Sequence, residues 1–68
     1  MSTEQEVAQR MVEMWIARIP AFGDGIAEGM NEMAYALGAI DDRAHDHNRV
    51  RISQEVAKAW AKTRGAAA

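Results

Sequence analysis

Ile26, Met30, Met33, Leu37 and Ile40 stand four, three, four and three residues apart, and Ala44 and His47 carry the interval onward. Large apolar side chains at that spacing line one stripe of an α-helix, and such a stripe has to be covered by another helix. In a chain of 68 residues the choice of cover is narrow. A monomer of this size buries only about 60% of the surface its unfolded chain exposes, and small domains are commonly reinforced by disulfides, a structural metal or oligomerisation. The sequence contains no cysteine, which removes disulfides and thiolate zinc sites together. Self-association with a second copy is the simplest support left.

Ahead of that stripe the sequence predicts a first helix over about residues 3–18. Ser2-x-x-Gln5 and Thr3-x-x-Glu6 both have the form of a capping box, in which side chains satisfy the free amides of a helix start. Val7, Ala8, Met11, Val12, Met14, Trp15, Ile16 and Ile19 follow. At 100° per residue they spread over roughly 200° of the circumference, about twice the arc one neighbour requires. Helix 1 is therefore expected to meet two neighbours, one of them in another chain. Pro20 ends it, since it lacks an amide hydrogen and disfavours helical angles at Ile19. Phe22-Gly23-Asp24-Gly25 completes a turn over residues 20–25, with Asp24 as the expected N-cap of helix 2 and Phe22 as a plug over the end of the pair.

Helix 2 is expected over about residues 25–44. Gly29 and Ala36 flank its stripe seven residues apart, and Gly29 costs about 1 kcal/mol against alanine in a helix interior, which implies a packing reason for it. Glu28, Asn31, Glu32 and Tyr35 point away from the stripe, so the expectation is that a simple hairpin core leaves them uncovered. Residues 45–53 are ambiguous: a continuous helix, a break, or a short alternating strand paired across a dimer all fit Asn48-Arg49-Val50-Arg51-Ile52-Ser53. The reading favoured here is a kink or break followed by a third amphipathic helix over about residues 49–64, carried by Ile52, Val56, Ala59 and Trp60 and ended by Gly65. The fold class is all-α: one domain over residues 1–68, a helical hairpin plus a third helix, assembled as a homodimeric bundle.

Charge is uneven along the chain. Residues 1–41 carry seven acidic side chains against Arg10 and Arg18, whereas residues 42–68 carry six basic ones against Asp42, Asp46 and Glu55. Complementary packing within or between chains explains such a split more simply than a ligand site does. The basic third (Arg43, Arg49, Arg51, Lys58, Lys62 and Arg64) offers phosphate contacts and so an alternative reading as a nucleic-acid-binding accessory protein. The segment starting at Ile52 faintly resembles the first helix of a helix-turn-helix, yet the sequence ends where a recognition helix would stand.

Asp41, Asp42, His45 and His47 form the one cluster with metal-ligand spacing, carboxylate and imidazole three and four residues apart. A metal-binding helical bundle is the second alternative. Against it, a helix continuing from residue 40 would turn Asp42 roughly 170° and His45 roughly 110° from the centre of the buried stripe, so that both face water. No nucleophile–histidine pairing, phosphate loop or dinucleotide fingerprint occurs, and so small a chain has little wall with which to enclose a substrate. The expectation is a non-enzymatic protein without a cofactor.

The function read from the sequence is a small interaction protein that self-associates and binds, adapts or inhibits a larger macromolecule. Met11, Trp15, Ile26, Met30, Met33, Leu37 and Ile40 are the expected self-association residues. Tyr35 is expected to be covered by helix 3 or another protomer, or else to anchor a protein partner together with Glu28 and Glu32; the basic face of Arg51, Lys58 and Lys62 is the other partner-binding candidate. No apolar run is long enough to span a membrane and residues 1–6 lack a signal-peptide pattern. A cytoplasmic location is expected.

Overall fold

The computed structural model describes residues 3–67. Four helices follow one another: α1 (Glu4–Ala17), α2 (Ile19–Phe22), α3 (Gly25–Ala36) and α4 (Asp42–Ala67). There is no strand among the described residues, so the all-α expectation holds.

Thr3 caps α1 by accepting the Glu6 amide on its hydroxyl at 3.1 Å. The parallel Ser2 capping reading lies outside the described residues. Around Pro20 the chain does not simply stop: Arg18 marks the end of α1, and Pro20 sits in the first turn of α2, where its missing amide hydrogen is no loss. Gly23, at φ +77°, then ends α2. Asp24 takes the N-cap position of α3, as expected, but its side chain makes no capping bond.

The predicted boundaries of helices 2 and 3 are wrong. α3 stops at Ala36, and one continuous helix begins at Asp42, so the break lies at residues 37–41 and not before residue 49. Gly38 makes it. At φ +74° it adopts the left-handed conformation, donating its amide to Tyr35 O at 3.0 Å while Ala39 donates to Ala34 O at 2.8 Å. These are the two bonds of a Schellman cap. Asp41 then starts α4 by accepting the Ala44 amide at 2.9 Å. Residues 45–53 are helical, which removes the strand alternative, and Gly65 lies within α4 instead of ending it.

α1 and α3 form the expected hairpin, and α4 lies against both, with α2 closing one end. The apolar core comprises Val12, Ile16, Ile19, Ala27 and Ile52, with Trp15, Met30 and Val56 packed on its edge. Phe22 is no plug: it is exposed and meets Trp15 edge-on at 5.8 Å. The face of α3 turned inward is Ala27, Asn31 and Ala34, not the expected large stripe. Of that stripe Ile40 is buried and Met30 half-buried, whereas Ile26, Met33 and Leu37 are exposed. The physical reason is close approach. Alanines at positions 27 and 34 let α3 lie near its neighbours, and the break at Gly38 separates Ile40 from the helix that carries the rest.

α4 is far longer than its partners. Its 26 residues make a rod of about 39 Å, and the molecule measures 46 × 21 × 15 Å. Beyond Val56 it carries Lys58, Trp60, Lys62 and Arg64, all exposed.

Candidate functional site

Two features stand out from the ordinary packing of three helices: a polar seam inside the bundle and an apolar surface outside it.

The seam takes one carboxamide from each long helix. Gln9 on α1 and Asn48 on α4 exchange reciprocal hydrogen bonds, Gln9 Nε2 to Asn48 Oδ1 at 2.8 Å and Asn48 Nδ2 to Gln9 Oε1 at 2.9 Å. Asn48 Nδ2 also donates to Asn31 Oδ1 on α3 at 2.9 Å, and Asn31 Nδ2 donates to the His45 carbonyl at 3.1 Å. Asn48 is 0% exposed and Asn31 1%. No buried side-chain nitrogen or oxygen among the described residues lacks a partner. A satisfied network of this kind sets helix register, because a shift of one turn would leave several amides unpaired in the interior.

Next to it lies the His/Asp segment. His45 is buried, at 8% exposure, which corrects the expectation that it faces water. Its ring stacks on Tyr35 with centroids 4.2 Å apart, and its Nε2 lies 2.8 Å from Glu32 Oε1. Tyr35 in turn donates its hydroxyl proton to Asp42 Oδ1 at 2.5 Å. That bond, followed by the charge of Asp42, holds the Tyr35 phenol above its usual range. Asn31, expected at the surface, is in the core. Tyr35 itself is half covered by α4, and Glu32 is tied to His45. Glu28 remains exposed, with its carboxyl pushed above the usual range by desolvation and by Asp24.

The four candidate metal ligands are drawn apart. Asp41 caps α4, Asp42 receives Tyr35, His45 is turned to Glu32, and His47 is exposed. Among the described residues no three His, Asp or Glu side chains converge in a geometry suited to a metal ion. The basic residues disperse as well. Arg51 reaches Glu13 at 3.5 Å and Lys58 reaches Glu55 at 3.3 Å. Arg51, Lys58 and Lys62 share an α4 stripe roughly 40° wide, whereas Arg49 and Arg64 lie more than 120° away from its centre.

The apolar surface belongs to α1 and α3. Gln9 and Glu13 turn one side of α1 toward α4, and Asn31, Glu32 and Tyr35 do the same for α3. That leaves Val7, Met11 and Met14 on the outer side of α1 and Ile26, Met33 and Leu37 on that of α3, each between 40% and 76% exposed. Half-buried Trp15 and Met30 lie at their inner edge. Four of the seven expected self-association residues are thus open, Met11 on the outer side of α1 and Ile26, Met33 and Leu37 on that of α3, while Ile40 is buried. On α3 this face runs through Gly25, Ile26, Gly29, Met30, Met33, Ala36 and Leu37 with no charged side chain. Nothing lies within 4 Å of the place a Cβ on Gly29 would occupy, so no contact inside the chain requires glycine there.

Sequence reasoning missed Gln9, Asn31 and Asn48. The signal was present: Ala27, Asn31 and Ala34 repeat at four and three, and Asn48, Ile52, Val56 and Ala59 at four, four and three. Among the described residues no helix is long and apolar enough to cross a membrane. Comparison with known protein families, curated proteins and solved structures finds no match to this chain.

Proposed function

We propose that this chain is a non-enzymatic interaction protein whose working surface is the outer face of α1 and α3, and that it self-associates and engages a larger macromolecule. The observation that carries the reading is the uncharged apolar outer face of α3, on which Met33 is 64% and Leu37 76% exposed. Monomers seldom leave a contiguous apolar patch larger than about 300–600 Å² without using it. Burying a Leu or Met side chain there is worth about 1.5–3 kcal/mol each. The polar seam supports the same reading from inside, since helices held in register present a rigid face and rigidity lowers the entropy cost of binding. The exposed basic end of α4, with Lys58, Trp60 and Lys62, offers the larger partner a separate contact.

A photo-crosslinking phenylalanine analogue tests this when placed singly at Met33, at Trp60 and at His47 in the full chain, expressed in its host cells. Crosslinked products are expected from positions 33 and 60, and none from His47, which is exposed on a polar part of α4. Equal yields from all three positions, or none from any, refute the reading.

A further inference from the structure

The geometry points to a second copy of this chain as the occupant of the apolar face, docked with α1 antiparallel to its own symmetry mate and Met11 on the two-fold axis. This rests on the interaction reading above and names its first partner. The outer stripe of α1 reads Glu4, Val7, Met11, Met14 with Trp15, and Arg18. In an antiparallel pair, residues whose numbers share one sum stand opposite one another. With the sum that puts Met11 against Met11 of the other copy, Val7 meets Trp15, and Glu4 meets Arg18 at both ends. Two oppositely charged ends enclose an apolar middle, and the stripe becomes complementary to itself on reversal. An isologous interface requires that property. Neither Glu4 nor Arg18 joins an ion pair among the described residues; Arg18 lies over the Trp15 ring at 5.5 Å, at the rim of the same face.

Helix geometry admits the pairing. Glu4 and Arg18 stand seven residues either side of Met11, about 10 Å along the axis. Helices crossing at about 20° diverge by only about 4 Å there, within reach of a Glu–Arg pair, whereas a crossing of about 50° opens roughly 9 Å. The shallow crossing also brings the uncharged outer face of α3 alongside the contact, where the missing side chain of Gly29 admits a neighbouring chain.

The surface area agrees. The six exposed apolar side chains of the face account for roughly 550 Å², and their half-buried and small neighbours extend it toward the about 800 Å² per partner of a standard interface.

Because the sequence has no cysteine, single cysteines report the geometry without interference. Helices about 9–10 Å apart bring facing Cα atoms on the axis to about 4.4–5.4 Å, within disulfide reach. Met11→Cys is expected to form a covalent dimer on mild oxidation. Glu4→Cys alone is expected to form none, and an equimolar mixture of Glu4→Cys with Arg18→Cys to form the mixed dimer. In sedimentation equilibrium the parent chain runs at twice its chain mass. Glu4→Arg and Arg18→Glu each weaken dimerisation by about 3- to 30-fold, and the double reversal restores it to within about twofold. A chain that stays monomeric at 100 µM overturns the proposal. A dimer that Met11→Cys does not crosslink, or that the double reversal does not rescue, overturns the antiparallel α1 pairing. A monomer also removes the self-association named above, whereas the engagement of a larger macromolecule is judged in either case by its own crosslinks at positions 33 and 60.

Discussion

Asn48→Ala removes the residue on which all three helices converge. Its amide makes the two reciprocal bonds to Gln9 and one to Asn31, and the side chain is 0% exposed. After truncation Asn31 Oδ1 is left in the core without its donor, at a cost of about 1–3 kcal/mol. Gln9 is half-buried and regains water, so it adds about 1 kcal/mol or less. The expected loss is about 1–4 kcal/mol, and at roughly 4–8 °C per kcal/mol for a domain this small the melting temperature falls by about 4–30 °C. Thermal unfolding followed by circular dichroism measures it, at one fixed protein concentration because association shifts the transition. A double-mutant cycle with Gln9→Ala should return a coupling of about 0.5–3 kcal/mol. Replacing Gln9, Asn31 and Asn48 together by leucine is expected to recover most of the loss, since removing every partner leaves no amide unpaired. A drop below about 4 °C for Asn48→Ala, or a coupling near zero, would refute the claim that the seam is buried and mutually satisfied.

Three further outcomes are expected. Leu37→Lys should leave helicity and the intrinsic melting transition within about 0.5 kcal/mol of the parent while lowering self-association, because Leu37 is 76% exposed at the end of α3; unfolding would return it to the core, where the sequence stripe placed it. His45→Ala should destabilise by about 1–3 kcal/mol through loss of the Tyr35 stack and the Glu32 bond, whereas exposed His47→Ala should change stability by less than about 0.5 kcal/mol; equal effects in chemical denaturation would refute the placement of His45. Spectrophotometric titration at 295 nm should place the Tyr35 phenol above 10.0, the hydrogen bond to Asp42 and then its charge being the cause. Folding favours the neutral phenol, so this contribution is present below the unfolded value and lost as pH rises through the folded one. Asp42→Ala should bring the titration back toward the ordinary value, and no movement would exclude Asp42 as its cause.

What the sequence determined by itself is local. The Thr3 cap, the position of Asp24 and the helical character of most of three segments follow from propensity and spacing within a few residues, whereas part of the expected turn at residues 20–25 is the short helix α2 and the break between the second and third segments lies at residues 37–41. The Schellman cap at Gly38 and the Asp41 cap were legible in the same way, yet the long apolar stripe across them argued for one uninterrupted helix. Tertiary structure decided which face of each helix turns inward. A stripe of Ile26, Met33 and Leu37 meets the rule that large apolar groups seek cover, but the rule does not say whose cover. Ala27 and Ala34 are small enough for α3 to approach its neighbours closely, and Asn31 is worth burying only because Gln9 and Asn48 arrive from two other helices with the complementary donors and acceptors. A hydrogen bond between residues 39 positions apart leaves no trace in the spacing of either one. Its free energy exists only once three helices have met, so the polar seam took the interior and the larger apolar stripe was left facing outward.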